Sequence, residues 1–187
     1  MDEHAALLRL LHERSVRHGD FTLASGASST YYIDARPTTM SAEGLQLIGR
    51  LGLAALRAQG WAPAAVGGLT MGADPVAYAI ALASGALPPV INAFSVRKEA
   101  KEHGTRRRVE GNFRAGDTVV VVEDVITSGG SALLAIASVE AEGGRVLGVL
   151  AVVDREEGGR AALEARGVTV TALTTVTELG LRQARPA

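Results

Sequence analysis

VVVVEDVITSGGSA, residues 119–132, runs from four valines through two adjacent acids into a Thr-Ser-Gly-Gly-Ser turn. A β-branched run without polar alternation does not suit a sheet with one wet face, so it reads as a strand buried on both sides. VLGVLAVV at 146–153 has the same character. Between the two, a helical pattern runs from Gly130 to Glu142. Upstream, AAVGGL, PVAYAIALASG and PPVINAFSV give strand, helix and strand, and downstream a helix is expected over 157–166 and a strand over 168–176. The expected class is α/β, a parallel sheet flanked by helices on both faces.

Toward the amino terminus, Asp2 can cap a first helix that runs to about His18, with Leu7, Leu8, Leu11 and Ser15 on one face and Gly19 as its stop. Residues 21–37, rich in Thr, Ser and Tyr, read as a hairpin or two short strands, and a second helix starts near Ser41 and stops at Gly60. A single domain follows from this: about 1–40 as an amino-terminal hood over the sheet, and about 41–187 as the α/β core. Its longest irregular stretch, 95–112, is expected to be a mobile loop.

Composition narrows the function classes. The chain has 187 residues, 19 basic against 20 acidic, a net charge of -1 and no cysteine. A disulfide framework, a thiolate zinc site and a cysteine nucleophile are therefore excluded. The start MDEHAALLRLLHERS is acidic and broken by Arg9, the wrong order for an export signal. Residues 75–96 carry no charge, but Gly85, Pro88, Pro89 and Asn92 divide them, so no membrane span is expected. The expected location is cytoplasmic.

Several motifs are missing. No two glycines are separated by exactly one residue and neither lysine follows a glycine, which removes the dinucleotide fingerprint and the Walker A loop. There is no nucleophile elbow and no His-Glu-x-x-His. Ser95-x-x-Lys98 lacks the companions of a penicillin-binding motif, and His4, His12 and His18 have no ligand spacing.

What remains is anion chemistry. At the carboxyl end of a parallel strand, Thr127, Ser128, Gly129, Gly130 and Ser131 place backbone N–H groups and hydroxyls at a helix amino terminus, where a phosphate monoester is favoured. Glu123 and Asp124 just before it can accept hydrogen bonds from a sugar diol or hold waters around Mg²⁺. Phosphate plus diol suggests a ribose phosphate. The plain alternative is an ordinary capped loop after a strand that happens to end in acids. A second glycine-rich turn, VGGLTMGADP at 66–75, reads equally as a tight connection or as a pyrophosphate-binding turn.

Charge is concentrated in one loop. The chain holds 17 arginines and two lysines, and both lysines, Lys98 and Lys101, fall in SVRKEAKEHGTRRRVEG at 95–111. Residues 97–108 carry a net charge of +4 on a chain of -1. Without interleaved aromatics, such a segment fits a lid over a small polyanion better than a nucleic-acid surface. His103 within it can donate to a leaving oxygen.

Together these segments resemble the type I phosphoribosyltransferases, and VVVVEDVITSGGSA resembles their 5-phosphoribosyl-1-pyrophosphate (PRPP) motif. RKEAKEHG at 97–104 is similar to the catalytic loop of orotate phosphoribosyltransferase, as are FTLASG at 21–26, YYID at 31–34 and DREEGG at 154–159. The resemblance covers about residues 20–160. It implies transfer of phosphoribose from PRPP to orotate with Mg²⁺, giving orotidine 5'-monophosphate and pyrophosphate.

By that resemblance Thr127 to Ser131 hold the 5'-phosphate, Glu123 and Asp124 the ribose hydroxyls, and Leu69, Thr70, Met71, Gly72 and Ala73 the pyrophosphate. Arg97, Lys101 and His103 act across a homodimer, while Lys98 serves its own chain. Orotate stacks on Tyr32, lies by Thr127 and meets Arg155 with its carboxylate, and no protein group ligates the metal directly. No nucleic-acid partner is implied. Some family members have lysines where this chain has Ala24 and Gly72, so those contacts are missing or come from elsewhere, with Arg106, Arg107 and Arg108 as candidates. Arg155 also has a plain alternative, a surface ion pair with Asp154. The rivals are a purine phosphoribosyltransferase and a non-catalytic PRPP-sensing regulator.

Overall fold

A computed structural model describes residues 2–22, 28–99 and 107–181. The elements run α1 (Glu3–Ser15), β1 (Val16–Thr22), β2 (Ser28–Ile33), α2 (Arg36–Thr39), α3 (Ala42–Ala58), β3 (Ala65–Leu69), α4 (Ala73–Ala86), β4 (Asn92–Val96), β5 (Val109–Gly111), β6 (Thr118–Ile126), α5 (Gly130–Ala141), β7 (Arg145–Asp154), α6 (Gly159–Glu164) and β8 (Val170–Thr175). Six strands form one sheet in the order β5-β4-β3-β6-β7-β8. All its pairings are parallel except β4 with β5.

The four valines explain the layers. Val120 and Val122 pack into a core with α1, α3 and α4, while Val119 and Val121 pack into a second core with α5 and α6. All four are fully buried. Alternate side chains of one strand point to opposite faces, so a strand covered twice must be apolar at every position. Each such side chain contributes about 1.5–3 kcal/mol by leaving water. β3 lies against β6 closely enough that a Cβ on Gly68 would sit 2.2 Å from the Val122 carbonyl oxygen. The glycine is thus a packing requirement of the sheet centre.

The amino-terminal part differs from expectation in its boundaries. α1 is capped by Asp2, whose carboxylate accepts from the N–H groups of His4 and Ala5 at 3.0 and 3.3 Å. It ends at Ser15, short of His18, and Gly19 is not its stop. Residues 16–18 instead pair across a hairpin, Val16 with Ile33, Arg17 with Tyr32 and His18 with Tyr31. A frayed last turn without apolar contacts loses to a ladder that satisfies the same backbone groups. The one-turn helix α2 was not expected either, while α3 follows its Ser41 cap as read.

Elsewhere two details change. The stretch 95–112 contains the end of β4 and all of β5, an antiparallel edge strand too short to show in the sequence pattern. α6 is shorter than 157–166, because Gly158 enters it with a φ of 95°. Among the described residues no helix is long and apolar enough to cross a membrane.

Candidate functional site

β6 carries the acid pair to the carboxyl edge of the sheet. There Glu123 and Asp124 join Tyr32, Asp34, Arg36, the turn Leu69, Thr70, Met71 and Gly72, Lys98, Thr127, Ser131 and Arg155 around a cavity of about 460 Å³. Its position beyond the strand ends is where open parallel sheets place ligands. One wall belongs to the sheet and its turns, the other to the hairpin and α2.

Glu123 is 5% exposed and its Oε1 has no hydrogen-bond partner. Burial pushes its carboxyl up to about 8, with the neighbouring Asp124 charge as a lesser cause. Asp124 is also raised, by burial first, although its Oδ1 accepts from the Val125 N–H at 2.9 Å. The pair therefore gains from any arriving hydroxyl donor or cation. That orphaned oxygen fits hydrated Mg²⁺ or a ribose diol, and no cluster of three His or acidic groups suited to direct ligation exists among the described residues.

After β6, Gly129 turns into α5 with φ 81° and ψ 2°, and no side chain caps the helix. Its first N–H groups are therefore left for an anion. Thr127 and Ser131 line the cavity, while Ser128, Gly129 and Gly130 form the turn beside it. In the second turn Ala73 is fully buried in the core and does not line the cavity, whereas Leu69 to Gly72 do. The Thr70–Met71 peptide is cis. Gly72 abuts the acid pair: a Cβ there would lie 2.5 Å from Asp124 Oδ1.

The aromatic pair divides as a strand requires. Tyr31 is 8% exposed and packs into the core, while Tyr32 is 40% exposed and faces the cavity. Arg155 is 5% exposed, with its guanidinium 5.3 Å from the centre of the Tyr31 ring. The surface pair with Asp154 does not form, because Asp154 accepts from Arg160 Nε at 2.8 Å. Arg155 Nη2 lies 2.7 Å from Glu157 Oε1 but off the hydrogen-bonding direction, so Nε and Nη2 remain without a hydrogen bond. Two buried donors thus stand ready at the cavity for an acceptor.

Of the basic loop, Lys98 lines the cavity, whereas Arg97 turns away to pair with Glu110 at 3.1 Å. Lys101, His103 and Arg106 lie outside the described residues, as does Ala24. Sequence reasoning missed Asp34 and Arg36. Arg36 donates from Nε and Nη2 to the two Asp34 oxygens at 2.8 and 2.9 Å. That fork holds the Asp34 carboxyl below its usual value against the opposing pull of burial. The only trace in the sequence is Asp-x-Arg after YYI, a spacing that marks no face of a helix.

No family model matches the chain. Orotate phosphoribosyltransferase of Mycobacterium avium is 48% identical over 181 residues, which cover 97% of each chain. A crystal structure of orotate phosphoribosyltransferase from Mycobacterium tuberculosis H37Rv superposes with a TM-score of 0.85 at 45% identity, covering 96% of this chain and 99% of that one. The same enzyme in complex with PRPP gives a TM-score of 0.81 at 40% identity, with 96% and 99% covered.

Proposed function

The chain belongs to the orotate phosphoribosyltransferase family, and from that premise we propose that the cavity at the sheet's carboxyl edge is its active site. The enzyme transfers the 5-phosphoribosyl group from PRPP to orotate, giving orotidine 5'-monophosphate and pyrophosphate. The carrying observation is convergence: the β6–α5 turn, the acid pair, the Leu69–Gly72 turn, Lys98, Tyr32 and Arg155 come from distant parts of the chain and line one cavity.

Thr127 to Ser131 bind the 5'-phosphate through the uncapped start of α5. Glu123 and Asp124 accept from the ribose hydroxyls, and Leu69 to Gly72, with the N–H of Ala73, cradle the pyrophosphate. Orotate stacks on Tyr32 beside Thr127. Its carboxylate satisfies Arg155 Nε and Nη2, which are otherwise buried without a hydrogen bond. Glu123 and Asp124 would hold Mg²⁺ through water, and the ion would supply charge neutralisation of the diphosphate.

Breaking the bond between C1 and the pyrophosphate oxygen leaves positive charge on the ribose and negative charge on the leaving group; a ring N–H of orotate then bonds to C1 through nitrogen, and its proton leaves to the departing pyrophosphate or to water. Burial raises the Glu123 carboxyl because nothing in the free protein offsets its charge, and a developing positive charge on the ribose supplies that offset. The acid pair therefore interacts more strongly in the transition state than in the free protein. Lys98 serves its own chain from inside the cavity. Arg97 faces away from it, which supports the reading that Arg97, Lys101 and His103 act in a homodimer partner's site. We place the reaction in the cytoplasm.

The test is an absorbance assay with Mg²⁺ and PRPP, offering orotate, uracil, hypoxanthine, guanine and adenine separately. Consumption of orotate alone is expected. Consumption of a purine would overturn the base pocket while keeping the PRPP site, and binding of PRPP with no turnover would favour a sensor. Lys101→Ala is expected to lower turnover by about 10² to 10³ with folding unchanged, the scale for losing one donor to a charge that develops in the transition state. A near-parental turnover number would take the loop out of the chemistry.

A further inference from the structure

A polyanionic substrate needs cations, and the described part of the cavity supplies few. Arg155 is assigned to the orotate carboxylate, Lys98 is the one lysine among the described lining residues, and the pyrophosphate turn has Gly72 in place of a side chain. A side chain at that position would have to displace the Asp124 carboxylate. The Asp124 carboxylate occupies the space where its Cβ would start, at 2.5–2.7 Å.

Arg36 lines the same cavity, from the hairpin side. Its charge is felt at the acid wall, where it lowers the Asp124 carboxyl, though burial and the paired Asp34 charge both raise it more strongly. Two of its donors are fixed by the fork to Asp34, which sets the guanidinium plane and leaves Nη1 as the edge outside the pair. Half of the side chain remains exposed. A guanidinium held this way loses little conformational freedom when it takes a phosphate oxygen, and planar oxyanions suit its geometry.

We propose that Arg36, oriented by Asp34, is a cation that binds the pyrophosphate group in the cavity it shares with the glycine turn, where Gly72 offers no side chain. This role rests on the cavity being the PRPP site. It replaces Arg106, Arg107 and Arg108 as the source of that contact. Asp34 is a positioning residue, whose two oxygens fix the plane of the Arg36 guanidinium.

The experiment compares parent, Arg36→Ala, Arg36→Lys and Asp34→Asn as full-length proteins. The readouts are steady-state kinetics in PRPP and orotate and direct calorimetric titration with pyrophosphate and Mg²⁺. Arg36→Ala is expected to raise KM for PRPP and weaken pyrophosphate by about 10- to 100-fold, the range for one charged hydrogen bond, with KM for orotate within about twofold. Arg36→Lys should recover part of the loss, and Asp34→Asn should show a smaller loss in the same direction. Unchanged pyrophosphate binding in Arg36→Ala overturns the proposal, as does an orotate KM that rises as much as that for PRPP. Failure of the underlying reading would look different, since the parent itself would then neither bind pyrophosphate nor consume orotate.

Discussion

The two walls of the cavity carry carboxylates that are shifted in opposite directions. On the sheet side Glu123 is buried at the end of a strand of fully buried valines, and it is raised by that burial first and by the Asp124 charge second. On the hairpin side Asp34 is partly exposed, and the Arg36 fork holds it down. One wall is rigid and electrostatically unsatisfied, the other paired and in contact with solvent. Such an arrangement lets a substrate gain free energy from the first wall while the second is already organised to receive it.

The rigidity of the sheet-side wall can be broken most directly at Gly68. A Cβ there meets the Val122 carbonyl oxygen at 2.2 Å and the Ala73 side chain at 2.8 Å, so β3 and β6 would have to separate beside the acid pair. Gly68→Ala is expected to destabilise the protein by about 2–4 kcal/mol, read as a lower urea midpoint. Stability equal to the parent's would mean that the two strands can shift cheaply and that the wall is not fixed by packing.

Its electrostatics are sharpened by Glu123→Gln. The carboxyl has an ordinary value of 4.5 unfolded and about 8 folded, so the folded state holds its proton more tightly. The stabilising contribution is complete below about 4.5, and it is lost as pH rises from there through 8. Glutamine keeps the shape without the titration. The variant's melting temperature should therefore gain on the parent's with rising pH, from little difference near pH 5 to several degrees above pH 8. Parallel profiles would show that Glu123 ionises freely in the native protein.

How much of each wall could be read from sequence follows from the same contrast. The sheet side was legible because double burial forces an unbroken apolar run and because an anion turn needs glycine and hydroxyl residues next to each other. The hairpin side was not. The strand β1 begins inside a segment with helical composition, since Val16 to His18 gain their partners from residues 31–33, which periodicity within one segment does not reveal. Asp34 and Arg36 act as a unit only because α2 begins there, and a one-turn helix leaves no periodic trace. Ala73 looked like part of the pyrophosphate turn, yet its side chain faces the core because α4 starts at that residue.

The smallest expected effect lies on the hairpin side, at Tyr32. Its neighbour Tyr31 is held in the core beneath Arg155, but Tyr32 is 40% exposed, with its ring centre 5.7 Å from that of Phe21. An exposed ring at a cavity mouth contributes little to folding, so Tyr32→Ala should leave the melting temperature close to the parent's. What it removes is one face for a heterocycle, and stacking of one base on one ring is worth about 1–3 kcal/mol. KM for orotate is therefore expected to rise about tenfold, toward the lower end because the ring is partly wet, with KM for PRPP within about twofold. Had Tyr32 been part of the packed scaffold, both constants and the melting temperature would move together. A selective change in orotate alone would show that the hairpin wall contributes to binding without contributing measurably to the fold.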